Sequence, residues 1–425
     1  MRDFLKKTAA LLLLTLTLGA CRRTYEVTQP DTSWDLFQSA SALRIPGSAG
    51  TRLEGVYTIS DGTELFGSDA VLKASYVASG TDTTFYVSLF CEKDVSYLVL
   101  EGRRIDSTIL LNGQWRRMAG TQTGAVRLSI RDSLGGRFAL SGASRGNTII
   151  EGVYGEGNEV PGRALRLQYN RELYAARPLE LVAHRGGGQT ANLLPASENS
   201  AEIIPYAARF GATGIEIDVR LTSDGVPILY HDAALSERLI QKTGLVGPIE
   251  NYSFAQLDGL VRLVRNGEHI PTLRQALETV VRKTPLRFVW LDMKFHGDLT
   301  LIRSMQQEYM QLAASLGKPL EILIGIPDQD VFDHFRQLPN YTQVPSVCEL
   351  DPSDVSSVNA RVWGPRWTLG LQNDEVAAMH AQGRRAFVWT LNLPQNIDLF
   401  LHQGYFDGIL TDYPTAVAYA YYTQL

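Results

Sequence analysis

The sequence predicts two domains, an all-β sandwich or barrel followed by a (β/α)8 barrel. Short alternating strands with turn residues between them fill about 51–170, and strand-like runs then alternate with helix-like runs over 178–425. A chain of 425 residues also exceeds the size of one ordinary domain. Repetition of strand then helix over about 245 residues suits a (β/α)8 barrel, which typically needs about 250.

A doubly wound open sheet would give the same alternation of strands and helices. Such sheets commonly carry a glycine-rich phosphate-binding turn after the first strand, and none follows "LELVAHRG" at 179–186. The stretch "NARVWGPRWTLGL" at 359–371 adds a further strand-like run, which leaves the later strand count open. The barrel is therefore the predicted class for the second domain.

The charge balance argues against a nucleic-acid-binding protein with a spread-out basic surface. The chain has 40 basic and 45 acidic residues, and its net charge is -5. A dominant basic surface for nucleic acid is therefore not expected. With 44% hydrophobic and 20% charged residues, the composition is that of ordinary globular protein.

The first 21 residues have the layout of a secretory signal, with a basic start, an apolar run and a small-residue ending. The ending "LGAC" at 18–21 resembles the lipobox of bacterial lipoproteins, in which the cysteine, here Cys21, is acylated. Residues 22–50 then suit a tether. These features predict a lipid-anchored protein of the cell envelope, in the outer membrane facing the periplasm. The remaining cysteines, Cys91 and Cys348, are expected to be buried thiols.

The first domain, 51–170, has no motif that points to chemistry. Its aromatic residues have two interpretations, a face that contacts glycans or ordinary packing of a small β domain. The residues concerned are Tyr57, Tyr86, Trp115 and Tyr154.

Polar residues end four successive predicted strands of the second domain. In a (β/α)8 barrel the C-terminal strand ends meet at one rim, where catalytic residues gather. Charged residues are rarely buried there unless they are paired or bind a metal. We therefore expect one active site built from His184, Arg185, Glu216, Asp218, His231, Asp292 and Lys294.

These residue types suit phosphodiester cleavage. Glu216, Asp218 and Asp292 supply hard oxygen ligands, suited to Ca²⁺ or Mg²⁺. Arg185 and Lys294 supply positive charge for a phosphate, and two histidines supply an acid and a base. Each element also has a structural alternative, such as a plain ion pair between Asp292 and Lys294.

The motifs together resemble the glycerophosphodiester phosphodiesterase family. They are "LVAHRGG", "SENS", "GIEIDVRLTSDGVPILYHD", "IPTLRQAL", "FVWTLN" and "DGILTDYP", in this order. The resemblance implies a phosphatidylinositol-phosphodiesterase-like (β/α)8 barrel and a divalent cation. It also implies hydrolysis of glycerophosphodiesters to sn-glycerol 3-phosphate and an alcohol.

The same resemblance assigns roles to the residues. His184 and His231 would be the acid–base pair, Arg185 and Lys294 would bind phosphate, and the three carboxylates would bind the metal. Trp389 would form an apolar wall of the substrate pocket. Glu198 would also belong to the substrate pocket, and with Asn199 it would brace the first loop.

The chain departs from the family pattern at three points. Asp292 stands where the family usually has Glu, and "GGQTANLLPAS" lengthens the loop between His184 and "SENS". The segment 233–270 lacks a large inserted subdomain, so substrate selection must come from the barrel loops or from the β domain.

Two rival functions stay open, a phospholipase acting on intact lipid and a catalytically weakened, glycan-binding lipoprotein.

Overall fold

A closed antiparallel barrel forms the first domain of the described chain, which comprises residues 27–144 and 146–425 of the computed structural model. In this part of the chain each strand from β2 to β9 pairs with the next, and β9 pairs with β2, an up-and-down arrangement. Of the two predicted architectures, the structure has the barrel. The strands are β1 (Leu43–Arg44), β2 (Gly55–Asp61), β3 (Asp69–Ser79), β4 (Asp82–Cys91), β5 (Tyr97–Ile105), β6 (Thr108–Arg116), β7 (Thr123–Ile130), β8 (Ile149–Tyr154) and β9 (Arg163–Arg171). The helices are α1 (Asp35–Gln38), α2 (Gly47–Leu53), α3 (Thr63–Phe66) and α4 (Gly136–Ser141).

Large aromatic side chains fill the inside of this first barrel. Tyr57, Trp115 and Tyr154 are buried in its core cluster, and Phe66 of α3 makes edge contacts with the latter two, at ring distances of 5.7 and 5.1 Å. The Trp115 indole nitrogen donates to the Gly155 carbonyl at 2.7 Å, so its polar atom is satisfied. These three aromatic residues are therefore core residues and do not form a glycan-binding face.

The segment before the barrel is folded rather than extended. β1 pairs antiparallel with β5, and α1 and α2 pack beside it, with Phe37, Ile45 and Ala49 buried. The predicted tether is therefore wrong over 35–50, because apolar side chains in these short elements pack against the barrel. The predicted signal peptide and Cys21 lie outside the described residues.

A parallel barrel forms the second domain, as predicted. Within residues 146–425, eight parallel strands close on themselves, and helices cover the outside. The strands are β10 (Glu180–Ala183), β11 (Gly214–Leu221), β12 (Pro227–Leu229), β13 (Phe288–Met293), β14 (Glu321–Ile326), β15 (Ser346–Cys348), β16 (Val362–Trp363), β17 (Arg385–Val388) and β18 (Gly408–Thr411). The helices are α5 (Ile204–Arg209), α6 (Phe254–Leu260), α7 (Leu273–Lys283), α8 (Thr300–Ser315), α9 (Gln329–Phe335), α10 (Pro352–Ser357), α11 (Asn373–Ala381), α12 (Pro394–Gln403) and α13 (Pro414–Tyr422).

One predicted barrel strand is not part of the barrel. The run that ends in His231 is β12, which pairs antiparallel with the end of β11. The connection at 222–226 is a tight turn, too short for the crossover that a parallel neighbour requires. β13 therefore follows β11 in the barrel, and β16, from the run at 359–371, completes the eight strands.

The two barrels pack against each other through β3 and β4 of the first and α5, α7 and α13 of the second. The Arg209 guanidinium lies 3.9 Å from the Tyr86 ring centroid, and Tyr97 makes an edge contact with Phe210 at 5.5 Å. Cys91 and Cys348 are free and buried, as expected. In the described chain, no helix combines the length and apolar character that crossing a bilayer requires.

Candidate active site

Three carboxylates meet at the C-terminal mouth of the parallel barrel. Glu216 and Asp218 leave the same face of β11, and Asp292 on β13 lies in register with Asp218. One oxygen of each lies within 4.8 Å of the others. The alternate residues of β11 belong to the surrounding apolar core, namely Ile215, Ile217 and Val219. The period of two along β11 thus places two carboxylates in one space, as predicted.

The carboxylate cluster fits a divalent cation. Glu216 Oε1, Asp218 Oδ1 and Asp292 Oδ1 are buried and accept no hydrogen bond from the described chain. Burial and the neighbouring Asp218 carboxylate raise the pKa of Glu216, and burial raises that of Asp292. Buried oxygens without donors are costly unless a ligand compensates them. Hard oxygen atoms are the ligands that Ca²⁺ and Mg²⁺ prefer.

His184 is held by a residue from the last strand of the barrel. Its Nδ1 lies 2.7 Å from Asp412 Oδ1, and its Nε2 lies 3.7 Å from Glu216 Oε2. Burial alone would lower the pKa of His184, but the hydrogen bond to Asp412 and the charges of Glu216 and Asp412 raise it above its usual value. With Nδ1 directed at a carboxylate, Nε2 is the nitrogen that faces the carboxylate cluster.

His231 is held in a similar way, by the aspartate that follows it in the sequence. Its Nδ1 lies 2.9 Å from Asp232 Oδ1, and the Asp232 carboxylate also accepts hydrogen bonds from Ser236 and Arg238. Burial lowers the pKa of His231, although the Asp218 charge acts in the other direction. Arg220 donates to the carbonyls of His231 and Lys294, at 3.1 and 2.8 Å from its two terminal nitrogens. Arg220 thereby joins the antiparallel β12 to the barrel.

Arg185 and Lys294 bring positive charge to the same mouth. Arg185 has a left-handed backbone, with φ of 54°, and its amide donates to Glu216 Oε2 at 2.8 Å. A non-glycine residue with a left-handed backbone, as Arg185 has, is uncommon, and such residues cluster at functional sites. Lys294 Nζ donates to Asp292 Oδ2 at 2.6 Å and lies 3.4 Å from Asp218 Oδ1.

Glu198 and Asn199 brace the loop that follows His184. Glu198 Oε1 accepts from the Arg185 guanidinium and Oε2 from the Thr190 amide, both at 2.7 Å. The Asn199 side chain donates to Asp218 Oδ2 at 2.7 Å and accepts from the Asp218 amide at 3.0 Å. Glu198 is buried and fully bonded, so it orients Arg185 rather than lining a pocket.

Trp389 directly follows β17 at the same mouth. Its indole nitrogen donates to the Gly364 carbonyl at 2.7 Å, and the Arg366 guanidinium lies 4.8 Å from its ring centroid. It is partly buried against the apolar interior of the barrel. This position is compatible with an apolar wall, and the role stays a prediction.

Two acidic residues of the site were not singled out from the sequence. Asp412 follows β18, and Glu349 follows β15. Burial and the charges of Asp292 and Glu216 raise the pKa of Glu349 well above its ordinary value. An acidic residue directly after a barrel strand was the available signal in both cases.

Comparison with known proteins identifies the family. A profile of the glycerophosphoryl diester phosphodiesterase family matches residues 184–416. A mouse protein named glycerophosphodiester phosphodiesterase 1 is 33% identical over 159 residues, covering 35% of this chain and 43% of the mouse protein. A glycerophosphodiester phosphodiesterase from Bacillus altitudinis is 23% identical over 248 residues, covering 55% of this chain and 95% of the relative.

A solved structure is similar as well. The glycerophosphodiester phosphodiesterase from Parabacteroides distasonis ATCC 8503 is 23% identical, with a TM-score of 0.45, covering 57% of this chain and 96% of that one. The chain spans less than half the length of the mouse relative. Because the family profile covers more than half of the 425 residues, the chain belongs to the glycerophosphoryl diester phosphodiesterase family.

Proposed function

We propose that this protein hydrolyses glycerophosphodiesters to sn-glycerol 3-phosphate and an alcohol. The observation that carries the proposal is the convergence of two aspartate-bound histidines on one buried carboxylate cluster. The names of the relatives supply the substrate class. A phosphodiesterase needs groups that neutralise phosphate charge and groups that move two protons, and both kinds lie at this mouth.

Glu216, Asp218 and Asp292 would hold the divalent cation. When bound, Ca²⁺ or Mg²⁺ would supply positive charge that polarises the phosphoryl oxygens. Arg185 and Lys294 add positive charge from the protein, and they flank the same carboxylates. The Arg185 guanidinium suits bidentate contact with phosphate oxygens, whereas Lys294 acts as a point charge.

The histidines divide the proton transfers. One imidazole takes the proton from a hydroxyl of the glycerol moiety, whose oxygen then attacks phosphorus. The other imidazole, protonated, gives its proton to the departing alcohol oxygen as the P–O bond breaks. Water then opens the cyclic phosphate with the two roles reversed, which restores both histidines.

We also propose that the chain is lipid-anchored at the cell envelope through Cys21. The lipobox-like ending of the first 21 residues supports this proposal. A Cys21→Ser variant should lose incorporation of a radiolabelled fatty acid in the bacterial host. Equal labelling of Cys21→Ser and the unaltered chain would contradict the anchor.

A metal-dependence assay tests the proposed hydrolysis. The protein is treated with chelator and assayed on glycerophosphocholine and glycerophosphoethanolamine, with Ca²⁺ or Mg²⁺ added back in steps. We expect no turnover in chelator and recovery with one of the two cations. Full activity in chelator would contradict the proposal, and turnover of micellar phospholipid alone would assign the protein to the phospholipases.

A further inference from the structure

A cleft of about 640 Å³ lies where the two barrels meet beside the active-site mouth. The first domain contributes Asp94, Arg117 and Met118 to its wall, and the second contributes Gln189, Asn392 and Asp412. We call it the interdomain cleft. Its position depends on the N-terminal barrel, because neither domain encloses it alone.

The interdomain cleft adjoins the catalytic histidine through a single side chain. Asp412 lines the cleft, and its Oδ1 lies 2.7 Å from His184 Nδ1. Its second oxygen accepts from the Gln189 and Asn392 side chains, which also line the cleft. The Asp412 carboxylate therefore separates a group bound in the cleft from His184. Such a group lies alongside the mouth where an alcohol would depart.

Buried polar contacts hold the two walls of the cleft together. Arg116 at the end of β6 is 4% exposed, and its guanidinium donates to the carbonyls of Asn192 and Leu193 in the loop after β10. The same group donates to Gly120, at the tip of the adjacent hairpin, at 3.2 Å. An arginine buried across two domains fixes the hairpin relative to the loop, so the cleft is a built feature of the interface.

The lining of the cleft favours a neutral ligand with several hydroxyl groups. Arg117 and Asp94 form an ion pair at 2.6 Å, so their charges largely cancel. The amide groups of Gln189 and Asn192 donate to Asp412, which leaves their oxygens as acceptors for ligand hydroxyls. Among the described residues that line the cleft, only Tyr413 is aromatic, whereas a quaternary ammonium group is best held by an aromatic cage.

We propose that the interdomain cleft binds the leaving alcohol of the substrate and selects a neutral polyol over a cationic alcohol. This inference rests on the proposed function and deepens it. The N-terminal barrel then serves as the specificity wall of the enzyme.

A substitution that fills the cleft tests this proposal. Ala119 lines the cleft from an exposed position of the hairpin between β6 and β7, so Ala119→Leu and Ala119→Trp fill it in two steps. Thr81→Trp, at the exposed hairpin tip between β3 and β4 of the same barrel, is the matched control. Each protein is assayed on glycerophosphoinositol, glycerophosphocholine and the methyl ester of glycerol 3-phosphate, whose leaving group is too small to reach the cleft.

We expect the unaltered protein to prefer glycerophosphoinositol over glycerophosphocholine. Ala119→Trp should lower kcat/KM for glycerophosphoinositol at least about tenfold, with Ala119→Leu between, and change that for the methyl ester less than about twofold. Thr81→Trp should change neither. Three results would overturn the cleft proposal while leaving the proposed hydrolase intact. They are an equal loss by Ala119→Trp on glycerophosphoinositol and the methyl ester, no loss on either of these two, and a preference of the unaltered protein for glycerophosphocholine. Absence of turnover on all three substrates by the unaltered protein would overturn the proposed function and this inference with it.

Discussion

The two domains are both closed eight-stranded barrels, yet their interiors differ in kind. The antiparallel barrel encloses apolar and aromatic side chains, and the polar atom of its Trp115 is hydrogen-bonded. The parallel barrel has an apolar lower interior around Trp290 and Phe387, but its mouth holds Glu216, Asp218 and Asp292. The core of the first barrel is apolar and aromatic, whereas the mouth of the second presents three buried carboxylate oxygens that accept no hydrogen bond from the described chain.

This difference separates stability from function along the chain. Close packing of apolar and aromatic side chains accounts for the core of the first barrel. Unsatisfied buried carboxylates destabilise a fold unless a bound ligand compensates them, so they indicate where a ligand binds. Changes at the mouth should therefore alter catalysis, and changes in the first barrel's core should alter folding.

The largest expected effect is on catalysis at the mouth. His184→Ala and His231→Ala should each lower kcat/KM about 10²–10⁴-fold, because each removes one proton transfer. The melting temperature should change little. His269→Ala is the matched control, since that histidine also pairs with an aspartate, Asp258 at 2.7 Å, but is exposed outside the site. If either mouth variant kept more than a tenth of the activity, the acid–base assignment would be wrong.

A substitution in the core of the first barrel should lower stability and leave activity unchanged. Phe66→Ala should lower the free energy of unfolding by about 3–5 kcal/mol, because it leaves a cavity beside Trp115 and Tyr154. Activity per folded molecule should stay unchanged, as measured by denaturant unfolding and by kcat on the folded fraction. Phe66→Leu, which keeps most of the volume, should cost less. A loss of kcat without a loss of stability would contradict the separation of roles.

A smaller effect is expected at Asp412, where the two barrels come together. Asp412→Asn keeps the shape but removes the charge that orients His184, and it should lower kcat about 10–100-fold with little change in KM on the methyl ester of glycerol 3-phosphate, whose leaving group does not reach the cleft. The comparison is Asp407→Asn, five residues earlier, whose carboxylate binds His380 on the outside of the barrel at 2.8 Å. Equal kcat values for these two variants would show that Asp412 does not position the histidine.

Local periodicity explains how much of the site the sequence could predict. Glu216 and Asp218 share a face because strand residues alternate, and parallel strand ends meet at one rim, which brings in His184, Asp292 and Lys294. These relations need only the element type and its direction. The structure brings all of these residues together.

Contacts between residues that are distant in sequence could not be predicted from local periodicity. Asp412 lies 228 residues from His184, and they meet because β18 closes on β10. The first domain could be a sandwich or a barrel, since alternation along a strand does not say which strands pair. The run that forms β12 also fits the barrel pattern, and only the short turn at 222–226 indicates that it pairs antiparallel with β11 instead. The packing of 35–50 depends on contacts with β5 that its weak periodicity did not indicate.

The most direct test of the central claim is the location of a bound cation. Crystals soaked in Mn²⁺, which prefers the same oxygen ligands as Mg²⁺ and gives an anomalous signal, would be examined for density at the mouth. The account predicts one anomalous peak among Glu216, Asp218 and Asp292, and none there in crystals of Asp218→Asn. A peak elsewhere, or none at saturating Mn²⁺ while these carboxylates bond only to Lys294, would contradict it.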